Sequence, residues 1–155
     1  MTSAIEQKLA SMQITLPPSS VPVANYVHYV ISGNQVFISG QLPMKDGKPL
    51  AIGQVGKGCS IEEAQQAARQ CGINMLSHLK VACGGNLDRV KRCVKLGVFV
   101  NSDAAFTDQP KVANGVSDFI VEVFGDAGKH ARAAVGVSQL PFGVAVEVDG
   151  VFEIS

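Results

Sequence analysis

The sequence predicts an α+β fold: a mixed β-sheet with two long helices packed on one face and a short N-terminal helix ahead of it. Three observations lead there. Strand-like and helix-like stretches follow one another as β-β-(β)-α-β-α-β-β, and two of the helical stretches are long and amphipathic. The 155 residues fit a single domain, 1–155, with a core of useful size and an N-terminal extension over 1–20. Hydrophobic residues make up 46% of the chain and charged ones only 17%. Two helices on one side of a sheet leave its other face bare, and a chain this poor in charge is expected to cover that face with another subunit. A homo-oligomer is therefore the expectation.

Each element has its own signal. Ser3 and Glu6 form a capping box, and Ile5, Leu9 and Met12 recur at helical spacing until Pro17-Pro18 ends the pattern. Val21 to Ala24 lead in extended form into NYVHYVI (25–31), which alternates as a strand. Turn residues 32–35 then return the chain as VFISG (36–40). Asp46-Gly47 signals a second hairpin, and the Gly-rich AIGQVGKG after it has no periodicity to assign. A second capping box, Ser60 with Glu63, opens a helix to about Cys83. Ala64, Ala68, Cys71, Met75, Leu79 and Ala82 lie on one face of it, and Gly84-Gly85 follows its end. RCVKLGVFV (92–100) reads as a strand with Val94, Leu96, Val98 and Val100 on one side. The second long helix starts near Asp108-Gln109-Pro110, buries Val112, Val116, Phe119, Ile120 and Val123, and stops at Gly125. Strands at about 132–138 and 144–148, with a short one at Phe152, close the chain.

Charge and motifs exclude several function classes. Thirteen basic and 13 acidic side chains cancel, and Lys91, Arg92 and Lys95 form the one dense basic cluster. Nucleic-acid binding draws on a basic excess, so the composition speaks against it and for a small-molecule partner. The N-terminus lacks the pattern of a signal peptide, and no apolar run approaches the ~18 residues of a membrane span, which predicts a cytoplasmic protein without membrane contact. Cys59, Cys71, Cys83 and Cys93 form no Cys-x-x-Cys pair and read as free buried thiols. Around Gly56-Lys57 a phosphate-binding loop fails at two positions, Ala51 and Gly58. Ser138 sits in no nucleophile elbow, since the closing glycine and the following helix are missing. His28, His78 and His130 have no metal-ligand spacing, so no metal is expected.

What remains is a pair of lone charges, Arg132 and Glu147, inside the apolar stretch HARAAVGVSQLPFGVAVEV (130–148). A buried charge costs several kcal/mol unless it is paired, so these two are either edge charges or face a cavity where charge is wanted. The stretch, together with SGQLP (39–43), EEAQQAARQ (62–70) and LDRVKRCVKLGVFV (87–100), resembles the YjgF-type Rid (reactive intermediate deaminase) family, also known as the endoribonuclease L-PSP family. The resemblance spans about residues 24–150. Its most specific part is the register of Arg132, Leu140, Pro141 and Glu147, supported by the distance from Tyr26 to Gly40.

The resemblance implies a chorismate-mutase-like fold and a homotrimer with clefts between subunits. It also implies hydrolysis of 2-imino or enamine acids, such as 2-aminoacrylate, to 2-keto acids and ammonia, with no cofactor. Arg132 would hold the substrate carboxylate with its planar fork, supported by backbone near Gly40 and Ala134. Glu147 would position the attacking water or carry its proton, and Tyr26 would line the cleft. Ala133 and Ala134 stand where many active members carry a hydroxyl and a cysteine, and Asn25 stands where proline is common. With the N-terminal helix and the longer 41–60 segment, these departures mark a divergent, longer subgroup. A non-catalytic protein binding a small carboxylate metabolite is the alternative. Endoribonuclease or translation-inhibitor activity is suggested by the older family name alone, and the neutral charge argues against it.

Overall fold

The computed structural model describes residues 3–20 and 24–155; the extended stretch expected at 21–23 lies outside them. Both capping boxes form. Helix α1 (Ala4–Ser11) starts where Ser3 Oγ accepts from the Glu6 N–H at 3.0 Å, and α2 (Ile61–Ala82) where Ser60 Oγ accepts from Glu63 at 3.1 Å. The Asp88 carboxylate accepts from the Ala4 and Ile5 N–H groups at 2.9 and 3.0 Å, which fastens the short α1 to the body of the fold.

Strands β1 (Tyr29–Ser32) and β2 (Gln35–Gln41) form the first hairpin. The second, β3 (Met44–Lys45) with β4 (Lys48–Pro49), closes through Asp46 and Gly47 at φ +53° and +79°, the positive pair that a two-residue hairpin turn requires. The Gly-rich segment becomes a short parallel pair, β5 (Gln54–Val55) and β6 (Gly58–Cys59). After α2 come β7 (Val90–Asn101), α3 (Gln109–Phe124), β8 (Ala131–Val137) and β9 (Val146–Ile154). The five-stranded sheet has the order β1-β2-β9-β7-β8 and is mixed, because β7 and β8 run parallel across the α3 connection. This is the α+β, chorismate-mutase-like architecture expected.

Three boundaries differ from expectation. The first strand joins its ladder only at Tyr29, since Ser39 takes the preceding carbonyls: its Oγ donates to Val27 O at 2.6 Å and its N–H to His28 O at 2.9 Å. In β7 a register shift between Cys93 and Lys95 turns Cys93 into the core and leaves Val94 half-buried, while Leu96, Val98 and Val100 face inward as predicted. The two short strands expected at the C-terminus are one, β9, which runs straight through Asp149-Gly150. Gly150 is not a turn residue there: a Cβ would stand 2.8 Å from Met75 Sδ of α2 and 3.1 Å from Leu96 Cδ2.

The helices cover one face only. Phe119, Phe152, Met75, Leu76 and Leu79 are sealed between helices and sheet, each such side chain stabilising the fold by roughly 1.5–3 kcal/mol. On the bare face Val30 pairs with Phe37, Phe37 with Val151, and Phe99 with both Glu147 and Val135. Val30, Phe37 and Val135 are 54%, 44% and 46% exposed. All four cysteines are buried and unpaired. No helix among the described residues is long and apolar enough to cross a membrane.

Candidate functional site

The predicted site residues fall into two groups. The first gathers at the end of β2, where the β2–β9 register slips between Ile38 and Gln41, a stretch that holds Ser39 and Gly40. A Cβ at position 40 would overlap the Glu147 carboxylate, so that carboxylate occupies space that only glycine leaves open. Half-buried, Glu147 holds its proton to higher pH than an ordinary glutamate, first because burial disfavours the charged form and then because Asp149 shares its face of β9. Burial likewise raises Asp149, against the pull of the Gly97 N–H and of Lys95.

Beyond the irregularity Gln41 turns to the helix side. Its Nε2 donates to Ser39 O at 2.9 Å, which aims its Oε1 at His78 Nε2, 3.2 Å away. His78 Nε2 therefore carries the proton, and Nδ1 accepts from Ser19 Oγ at 2.8 Å. The His28 ring stacks on His78 with centroids 3.9 Å apart and planes 15° from parallel. Burial, then the neighbouring His28, lowers His78 to about 4, so its ring is neutral at pH 7. These imidazoles, Gly40 and the 54% exposed Tyr26 border a cavity of about 540 Å³.

The second group is on the edge strand β8. Arg132 stands opposite Leu96, and Ala134 opposite Val98, so both point to the helix-covered side. Arg132 Nη1 donates to Asn114 Oδ1 at 2.9 Å and to Ser117 Oγ at 3.1 Å, both on α3. Behind them His130 Nδ1 donates to Gly128 O at 2.6 Å, which leaves Nε2 to accept from Ser117 Oγ at 2.9 Å. The hydroxyl proton of Ser117 is thus committed to His130, and its lone pair is turned to the guanidinium. Among the described residues no carboxylate pairs with Arg132.

A single chain therefore brings Glu147 to Gly40, Tyr26 to the cavity beside Gly40, and Arg132 to the side of Ala134. It does not bring Arg132 to Glu147. Glu147 pairs with Phe99 on the bare face and Arg132 with Leu96 on the covered one, with β7 between them. Sequence reasoning missed Asn114, Ser117 and His130 as the groups that hold Arg132. The signals were there: Asn114 and Ser117 are three apart on α3, and His130 is two before Arg132.

The chain is thus a two-layer α+β fold, with helices on one side of a mixed sheet, a bare and partly acidic face on the other, and Arg132 and Glu147 on opposite sides of that sheet. The family model described as "YjgF/chorismate mutase-like, putative endoribonuclease" matches residues 6–149, and the chain belongs to that family. It is 51% identical over 152 residues to protein TCP17 of Trypanosoma cruzi, covering 97% of this chain and 94% of that one. A 2-iminobutanoate/2-iminopropanoate deaminase of Dermatophagoides farinae is 26% identical over 141 residues, 91% of this chain and 94% of its own. Among solved structures, the protein Atu1372 of Agrobacterium tumefaciens superimposes with TM-score 0.91 at 44% identity over 97% of this chain and 92% of that one. E. coli TdcF with bound serine gives 0.63 at 25% identity over 90% and 94%.

Proposed function

We propose that this protein hydrolyses reactive 2-imino and enamine acids to 2-keto acids and ammonia, in clefts between the subunits of a homotrimer. The observation that carries the reading is the half-buried Glu147 carboxylate seated on the Gly40 backbone, with its proton affinity raised and its bare face turned outward. Arg132, held by Asn114 and Ser117 on an exposed edge strand, is presented to a neighbouring copy, and the split between the two half-sites is what a shared cleft requires. In that cleft Arg132 binds the substrate carboxylate. Water adds to C2 of the imine, giving its proton to Glu147. The C2–N bond then breaks, the nitrogen takes protons to leave as ammonia, and C2 becomes the keto carbon. Tyr26 lines the cleft. The relative named as an iminobutanoate/iminopropanoate deaminase supports this chemistry, and the serine bound by the E. coli relative supports a small carboxylate ligand.

The test is 2-aminoacrylate, generated in situ from serine by a dehydratase, with wild type beside Arg132→Ala. Keto-acid release accelerated by wild type alone supports the reading; equal rates with both proteins overturn the role of Arg132. A second reading, a carboxylate-binding protein without turnover, is favoured by Ala133 and Ala134, which put no hydroxyl or thiol beside Arg132. Calorimetric binding of 2-ketobutyrate without catalysis would select it.

A further inference from the structure

We infer that the cavity beside Gly40 is a side-chain subsite for a large, neutral, aromatic 2-imino acid; this rests on the activity proposed above and narrows its substrate. The argument begins with size. At about 540 Å³ the cavity falls in the roughly 300–1,000 Å³ range of small-molecule pockets, far more than the methylene of 2-aminoacrylate fills. It adjoins the reacting end of the proposed cleft at Gly40, which borders it and whose missing Cβ leaves the space that the Glu147 carboxylate holds.

Its wall then sets the chemistry. Tyr26, Leu42, Met44 and the stacked His28–His78 pair present rings and aliphatic carbon, and neither lysine nor arginine lines it. Several polar groups of the wall are already engaged. Asn74 Nδ2 donates to Leu42 O and Met44 O, both at 3.0 Å, and its Oδ1 accepts from Gln70 Nε2 at 3.0 Å. Both ring nitrogens of His78 are occupied, by Ser19 and by Gln41. Ser77 Oγ turns back to Ile73 O. A polar or charged side chain entering here would lose water and find few free partners, whereas an aromatic ring loses little and gains stacking surface. Asp46, the one acidic residue of the lining, is exposed on its turn, so it disfavours an anionic side chain without burying a charge. The low proton affinity of His78 keeps its ring neutral at pH 7.

The experiment compares the imines of alanine and phenylalanine, each generated in situ by an L-amino-acid oxidase, with wild type and Met44→Trp. The substitution narrows the cavity from its Met44 wall and leaves Arg132, Glu147, Tyr26 and Gly40 unsubstituted, and circular dichroism checks the fold. Wild type is expected to favour the phenylalanine imine in kcat/KM by at least about tenfold. Met44→Trp should abolish that preference, bringing the two imines to within about twofold of each other in kcat/KM. Turnover of the alanine imine with no preference, or a preference that survives Met44→Trp, overturns the subsite and leaves the deaminase reading standing. If neither imine is turned over, the deaminase reading fails by itself. Calorimetry on wild type then decides the subsite, or does so if the variant misfolds: phenylpyruvate bound at least about tenfold tighter than pyruvate sustains it, and equal or absent binding overturns it.

Discussion

On the covered face of the sheet Val98, Val148 and Phe152 are sealed under α2 and α3. On the bare face Val30, Phe37 and Val135 are about half exposed beside Glu147 and Asp149, two carboxylates that both hold their protons above the ordinary range. The same five strands supply both faces, since successive residues of a strand point opposite ways. One face is thus finished by the chain itself and fixes stability. The other is left half-finished, and the function proposed here is placed where a second copy completes it.

The sharpest way to break this division is Glu147→Gln. A positioned acid–base group is worth about 10²–10⁴-fold, so kcat/KM for 2-aminoacrylate should fall by that factor while the melting temperature stays at or above the wild-type value. A large loss of stability instead would make Glu147 part of the fold. Next, Phe37→Asp on the bare face should convert the proposed trimer to monomers in sedimentation and remove activity with it, because in the proposed cleft each half-site is completed by a second copy. Full activity in a monomer would refute the shared cleft. On the covered face Gly150→Val should act the other way, costing about 1–3 kcal/mol in denaturant unfolding as the new methyls press on Met75 and Leu96.

Two smaller effects concern pH. Burial, and then Asp149, raise Glu147, so the acidic limb of the kcat/KM profile should lie above the usual glutamate value of 4.5. It should move down in Asp149→Asn, where the like charge is gone. An unmoved limb would assign it to another group. For His78 the folded value of about 4 lies below the ordinary 6.5, so the unfolded chain takes up the proton first as pH falls. Its contribution is intact above pH 6.5 and is lost on descending towards pH 4. The melting temperature of wild type should therefore drop relative to His78→Asn across that window and run parallel to it above.

How much was legible beforehand follows the same division. The helices were, because Ser3–Glu6, Ser60–Glu63 and the stripe from Val112 to Val123 are local signals that their own turns obey. The face of Cys93 was not, because a bulge is decided by the partner strand. The break expected between the strand at 144–148 and the one at Phe152 is continuous strand, because β2 and β7 pair with both edges of β9 there. Arg132, Glu147, Gly40 and Tyr26 were singled out by family register and charge. That Arg132 and Glu147 point to opposite faces depends on which residues of β7 stand opposite each, a long-range fact that spacing along the chain does not contain.

The position of β9 also bears on how the chain is made. It is the last of the described strands to be synthesised, yet it lies between β2 and β7 in the sheet. Until residue 154 is available, the first hairpin and β7 have no strand in common, and their inner edges are open rows of donors and acceptors. Before β9 is made, the hairpin and the β7–β8 pair share no strand ladder and are linked through α2, which packs on both the hairpin and α3, so the sheet itself closes in a late step. A ribosome stalled a few codons short of residue 154 would hold a chain ready to pair with its neighbours on the same message.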